Sequence, residues 1–172
     1  MIALTGTPGC GKSSVAEELK KRGFDVKSVV ELAIENECIL GKEKGELVID
    51  VEKLSKFRYD GIVEGHLSHL LNPEKVIVLR CNPLIIKDRL LKRGWDYEKV
   101  MENVEAELID VILVEALEAC DDVYEIDVTE KSIEEVANAV EEILSGKGDK
   151  YRPRKVDWLS KLEKRLKEVT RW

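Results

Sequence analysis

The stretch GTPGCGKS, residues 6–13, decides the fold of this 172-residue chain. It meets the pattern G-x-x-x-x-G-K-[ST] at every position and ends in Gly11, Lys12 and Ser13. A loop that wraps a chain of phosphates points several backbone N–H groups inward, and Gly9 and Gly11 reach the necessary backbone angles without steric cost. Lys12 is a mobile charge suited to the β- and γ-phosphates, and the Ser13 hydroxyl suits Mg²⁺. The sequence therefore predicts a phosphate-binding loop, or P-loop.

The chain around this loop alternates apolar runs with helical patterns. Apolar MIAL precedes the loop, and SSVAEELKKRG follows it with the spacing of an amphipathic helix. The strand candidates are MIALT (1–5), FDV (24–26), GIVEG (61–65), KVIVLRC (75–81) and DVYEIDV (122–128). Strands separated by helices form βαβ units and a parallel sheet. We therefore predict an α/β protein of the P-loop NTPase class, with three α/β/α layers and a five-stranded parallel sheet.

Helix signals divide the rest of the chain. Asn82-Pro83 starts a helix that runs to about Arg93, and the capping box SIEE at 132–135 starts one that ends before Gly146. One long helix is predicted between Gly94 and Asp121. We expect a P-loop domain over residues 1–146, followed by a basic linker and an amphipathic C-terminal helix over residues 147–172.

Charge is distributed unevenly along the chain. The net charge is −7, yet residues 147–172 hold 10 basic and 4 acidic residues, so the tail carries +6 and the body −13. Such asymmetry suggests that the tail meets an anionic partner, either RNA or an acidic surface such as the body itself. The apolar stripe of the tail helix is more typical of packing on its own domain.

The cysteine pattern and the hydropathy of the chain indicate where in the cell the protein is located. The four cysteines form no C-x-x-C pair, which argues against a zinc site or a disulfide framework. No apolar run reaches the roughly 18 residues of a membrane span, and because the first strand starts directly after Met1 we expect no leader segment. We expect a cytoplasmic protein that does not contact membranes.

The segment IVEGHL, residues 62–67, ends an apolar strand at the sheet edge where α/β proteins place ligands. Beside a P-loop, Glu64 is a candidate Walker B acid that holds Mg²⁺; the alternative is a solvated glutamate. His66 is a candidate proton carrier or water-positioning group, or a hydrogen-bonded bystander. His69 lacks partners for a zinc site.

The segment KDRLLKRGW, residues 87–95, places Arg89 and Arg93 four residues apart on one helical face. Arginine's planar fork suits the charge that spreads over a transferring phosphoryl group, so these residues predict a lid over the nucleotide. The alternative is a solvated basic helix end.

Four segments together resemble one family: the P-loop, EGH at 64–66, RLLKRGW at 89–95 and ENVEAELIDVILVEAL at 102–117. They are similar to the nuclear-type adenylate kinase, isoenzyme six, of archaea and eukaryotes, over roughly residues 1–145. The resemblance implies a nucleoside-monophosphate-kinase-like fold with a short monophosphate-binding segment (about 28–50) and lid (about 92–102). It implies phosphoryl transfer from Mg·ATP to AMP, ATPase activity, and a role in small-ribosomal-subunit assembly with a ribosomal protein as partner.

By the same resemblance, the ATP phosphates contact Gly9, Gly11, Lys12, Ser13 and Ser14, with Arg89 and Arg93 closing from the lid. Lys12, Glu64, His66 and Arg93 would be the catalytic residues, and Ser13 and Glu64 would hold Mg²⁺. The basic tail lies outside the resemblance, so rRNA binding by the tail is an inference from charge alone.

The chain departs from the adenylate kinase pattern at two arginines that grip AMP. EGHLS stands where common adenylate kinases have D-G-F-P-R, and Ile34 stands where relatives have an arginine. Losing two guanidinium contacts weakens AMP capture. Either other cations, such as Lys42, Lys44 or Arg58, substitute for these arginines, or ATP hydrolysis is the more physiological activity. A small-molecule kinase of similar fold, such as a shikimate or dephospho-coenzyme A kinase, is a further alternative.

Overall fold

A computed structural model describes all residues from Met1 to Trp172 and places a five-stranded parallel sheet at the centre. Its strands are β1 (Ile2–Gly6), β2 (Val26–Ser28), β5 (Ile62–Glu64), β6 (Lys75–Arg80) and β7 (Val123–Asp127), in the order β2-β5-β1-β6-β7. All neighbouring pairs run parallel. All five predicted strands and the parallel sheet are confirmed.

Helices cover both faces of this sheet, as the predicted three layers require. The longer ones are α1 (Lys12–Lys21), α4 (Pro83–Lys92), α5 (Tyr97–Leu108), α6 (Val111–Ala119) and α7 (Ile133–Leu144), and the shorter ones near β2 are α2 (Val29–Glu35) and α3 (Val51–Leu54). Along β6, Ile77 and Leu79 face the main core under α1, α4, α5 and α7, whereas Val76 and Val78 pack beneath α6. Because both faces are buried, the strands read as continuous apolar runs.

A β-hairpin between α2 and α3 was not predicted. It pairs β3 (Ile39–Glu43) with β4 (Glu46–Ile49) in antiparallel fashion, outside the main sheet. The turn residues Lys44 and Gly45 both have positive φ, 49° and 82°, as the tightest hairpin turns require. The hairpin occupies the second half of the proposed monophosphate-binding segment.

The prediction of one long helix between Gly94 and Asp121 is wrong. The chain forms α5 and α6 instead, separated by Ile109 and Asp110. Asp110 has a left-handed φ of 62°, and its carboxylate pairs with the buried Arg80 at the end of β6. A contact made 30 residues away along the chain therefore fixes the break.

The tail packs on the body, but it is not the single amphipathic helix predicted. It contains the short helices α8 (Trp158–Lys161) and α9 (Leu166–Val169), joined by a 3-10 turn. Its apolar side chains Val156, Trp158, Leu162 and Val169 belong to the main core. None of the protein's helices is long and apolar enough to cross a lipid bilayer.

Candidate functional site

The predicted site residues meet at the carboxyl ends of β1 and β5. These strands are neighbours in register, with Leu4 opposite Glu64, so the P-loop and the Glu64–His66 segment leave the same edge of the sheet. Between them and the start of α5 lies a cleft of about 370 Å³. The cleft is lined by Gly9, Gly11, Lys12, Ser13, Ser14, Glu64, His66 and Arg93 among others.

The P-loop has the backbone that its glycines predict. Gly9 and Gly11 have φ values of 90° and 94°, in the left-handed region that side chains disfavour. A Cβ on Gly9 would lie 3.3 Å from Leu90 of α4, so the loop also packs closely against its neighbour. Lys12 is buried, and its ammonium donates to the carbonyl oxygens of Gly6 at 2.7 Å and Thr7 at 3.2 Å. The lysine therefore lies along its own loop, within reach of a phosphate chain bound there.

Glu64 and His66 project into the cleft from the end of β5. Burial raises the pKa of Glu64, while the charge of Lys12 opposes that shift. The surrounding cleft walls lower the pKa of His66 by limiting its solvation, and Lys12 adds to the effect. This direction of the pKa shift favours the neutral imidazole, which can donate one hydrogen bond and accept another. His69 instead is a buried structural residue, hydrogen-bonded to Thr5 at 3.0 Å and Glu115 at 2.8 Å.

The two arginines of the predicted lid take different positions. Arg93 caps the end of α4, is exposed and lines the cleft, and its guanidinium has no carboxylate partner. Arg89 does not line the cleft; it donates to the carbonyl oxygen of Gly9 at 3.0 Å and so braces the P-loop from the side. The lid segment itself is the turn between α4 and α5 and the first turns of α5.

The side chains fit a magnesium ion that arrives with a nucleotide. Ser13 and Glu64 supply oxygen donors to the same cleft, and no group of three or more His, Cys, Asp or Glu residues could hold a metal alone. Mg²⁺ prefers this arrangement of few protein oxygens, water and substrate phosphates.

Lys42, Lys44 and Arg58, the cations suggested as substitutes for the missing arginines, do not line the cleft. Arg58 lies in a separate depression near Met1 and Tyr59. The cleft wall opposite the P-loop is formed by residues that the sequence analysis did not single out: Val30, Glu46, Ile49, Trp95, Lys99 and Asn103. Trp95, Lys99 and Asn103 are spaced four residues apart, which places side chains on one helix face; this spacing was the sequence signal for that wall of the cleft.

A buried charge network lies behind the P-loop and was also missed. The Glu107 carboxylate of α5 accepts from Thr7 Oγ1 at 2.6 Å, Arg80 Nε at 2.8 Å and Trp158 Nε1 at 3.0 Å. It accepts a fourth bond from the backbone N–H of Cys81 at 3.2 Å. Burial raises the pKa of Glu107, and the Arg80 guanidinium with these donors opposes the shift. The P-loop, α5 and the tail are thus joined through one carboxylate.

This fold and cleft define the class: a P-loop protein of the nucleotide-kinase type. The sequence matches the AAA domain family over residues 2–110. It is 58% identical to a "Putative adenylate kinase" of Archaeoglobus fulgidus, over 99% of this chain and 98% of the relative. It is 48% identical to a "Putative adenylate kinase" of Thermococcus gammatolerans, over 92% of each chain. The chain belongs to this archaeal adenylate-kinase-like family.

Solved structures support the fold at low sequence identity. The YorR protein of Bacillus subtilis, in complex with phosphorylated GDP, aligns with a TM-score of 0.56 and 21% identity, over 84% of this chain and 95% of that one. A shikimate kinase from Bacteroides thetaiotaomicron aligns with a TM-score of 0.50 and 18% identity, over 84% and 97%. These likenesses establish the P-loop kinase architecture.

Proposed function

We propose that the protein is an adenylate kinase, which transfers the γ-phosphoryl group of ATP to AMP and forms two ADP. The observation that carries the proposal is the convergence of the P-loop, the Glu64–His66 segment and Arg93 on one cleft. The names of its relatives support AMP as the acceptor.

The P-loop residues bind and orient ATP. The backbone amides from Gly9 to Ser14, at the start of α1, hold the phosphates. Lys12 exchanges its carbonyl partners in the loop for the β- and γ-phosphates. Ser13 and Glu64 would hold Mg²⁺, which neutralises charge on the phosphate oxygens when bound.

His66 and Arg93 act on the transferred group. Neutral His66 donates its ring N–H to the AMP phosphate and orients the attacking oxygen toward the γ-phosphorus. Arg93, with no carboxylate partner of its own, is free to approach the equatorial oxygens as charge spreads onto them. Closure of the lid turn over the cleft excludes water when AMP is bound.

The test is turnover of variants against wild type. Lys12→Ala should lower the rate of ADP formation on the order of 10²–10³-fold, because a preorganised donor at the developing charge is lost. His66→Ala should lower turnover more than ATP affinity, while His66→Asn recovers part of the rate through its amide. An unchanged rate for Lys12→Ala contradicts the site, and equal losses of turnover and ATP affinity for His66→Ala indicate a structural role.

A second candidate function is ATP hydrolysis in assembly of the small ribosomal subunit, as in the isoenzyme six family. The body charge of −13 favours a basic ribosomal protein as partner. The tail supports rRNA binding less strongly than its charge suggests, because Lys150, Arg152, Lys161 and Arg171 already pair with acids of the body. A pull-down with basic small-subunit proteins, with and without ATP, tests this role; no complex in either state contradicts it.

A further inference from the structure

We infer that Lys99 of α5 binds the phosphate of the acceptor nucleotide, and that Glu46 of the hairpin holds this lysine while the acceptor is absent. The inference rests on the proposed function and names the acceptor subsite within the same cleft. It gives the cleft a cation in place of the two arginines that the sequence lacks.

The cleft contains few cations. Lysine and arginine side chains line it at three positions: Lys12, Arg93 and Lys99. Lys12 belongs to the P-loop, and Arg93 lies on the lid turn. Lys99 is the remaining cation, and a monophosphate that enters a cleft of a protein with net charge −7 needs such a counter-charge.

Neighbouring side chains hold Lys99 in place. Its ammonium lies 4.2 Å from the centre of the Trp95 ring, which supports the side chain from below. Asn103 Nδ2 donates to the Lys99 carbonyl oxygen at 2.8 Å, one turn along the same wall. Because the Trp95 ring holds the ammonium and the side chain lines the cleft, Lys99 is positioned there before any ligand arrives, which reduces the entropy lost on binding.

Lys99 forms an ion pair with an acid on the other side of the cleft. Its ammonium pairs with the Glu46 carboxylate at the start of β4, and both residues line the cleft. The pair spans from the hairpin to the lid helix. Glu46 is more than half exposed, so the pair is weak and a dianionic phosphate can displace the carboxylate. Acceptor binding then replaces the Lys99–Glu46 ion pair with a contact between Lys99 and the phosphate.

The test compares the KM for AMP and the KM for ATP in three variants. Lys99→Met keeps the aliphatic stem on Trp95 and removes the charge, so the KM for AMP should rise about 10- to 100-fold, as for loss of a charge-assisted bond. Glu46→Gln removes the carboxylate that competes with the phosphate for Lys99. It should lower the KM for AMP about 2- to 5-fold, which corresponds to the free energy of an exposed ion pair. Both variants should leave the KM for ATP within about twofold.

Lys56→Met is the matched control. Lys56 forms an exposed ion pair with Glu52, 3.6 Å apart, and lies outside the cleft, so its loss should change neither KM. An unchanged KM for AMP in Lys99→Met, or equal increases for AMP and ATP, overturns the inference while AMP-dependent turnover of wild type preserves the proposed function. A wild-type protein that consumes no AMP overturns both.

Discussion

Replacing Glu107 tests the physical link between the P-loop, the lid helix and the tail. The Glu107 side chain is 3% exposed and accepts four hydrogen bonds, one of them from a guanidinium that is itself 1% exposed. Glu107→Ala would leave Thr7, Trp158 and Arg80 without this acceptor in a buried site. Asp110 and Glu125 would still neutralise part of the Arg80 charge.

The magnitude follows from these contacts. Breaking a buried ion pair by removing one partner costs about 3–5 kcal/mol, and the orphaned hydroxyl and indole donors add to this while water entering the cavity offsets them. We expect Glu107→Ala to lower the free energy of unfolding by about 4 kcal/mol, which corresponds to a Tm lower by roughly 8–16 °C in a chain of this size.

Glu107→Gln separates charge from hydrogen bonding. Its amide oxygen can face the donors from Arg80, Cys81 and Trp158, and its NH₂ can face the Thr7 hydroxyl, which then accepts. Only the contribution of the negative charge to these hydrogen bonds is lost, so we expect Glu107→Gln to lower the free energy of unfolding by about 1–2 kcal/mol.

The measurement is equilibrium urea unfolding of wild type and both variants, with Glu102→Ala as the control. Glu102 is an exposed residue of α5, so its replacement should change stability by less than about 0.5 kcal/mol. Equal losses for Ala and Gln, or a loss under about 2 kcal/mol for Ala, would refute the reasoning that the four bonds to the carboxylate matter.

Two glycines and one ion pair provide further tests. Gly65→Ala should destabilise the protein by about 3 kcal/mol or more in urea unfolding, because φ is 151° and the new Cβ would lie 2.8 Å from Val29 Cγ2. Gly146→Ala, with φ 81° and nothing within 4 Å, should cost only about 1 kcal/mol; equal costs would contradict the steric argument. The bond from Arg171 lowers the pKa of Glu105, so the stability from this pair is present above the unfolded pKa of about 4.3 and is lost as pH falls through the folded value. Arg171→Ala should remove that part of the pH dependence of Tm, and an unchanged profile would contradict it.

The sequence was sufficient to predict the sheet and the P-loop because their signals are local. Buried parallel strands require apolar runs, and a loop around phosphates requires glycines and a lysine at fixed spacing. The same signals placed Glu64 and His66 at the strand tip, where the structure has them.

The missed features depend on contacts that are distant along the chain. The apolar residues of the hairpin form two short runs at 39–40 and 47–49 without a strand-like alternation, so only the Gly45 turn pointed to the hairpin. The break at Asp110 depends on Arg80, and Glu107 reads as one more acid in an acidic helix until Thr7 and Trp158 are brought beside it. A buried charge network leaves no periodic pattern that marks its members.

The most direct test of the central claim is the product balance of the purified protein with Mg·ATP, with and without AMP. We expect two ADP formed for each AMP consumed, with no inorganic phosphate released and no ADP in the absence of AMP. Phosphate released at the same rate whether or not AMP is added would contradict it, because the cleft would then pass the γ-phosphoryl group to water.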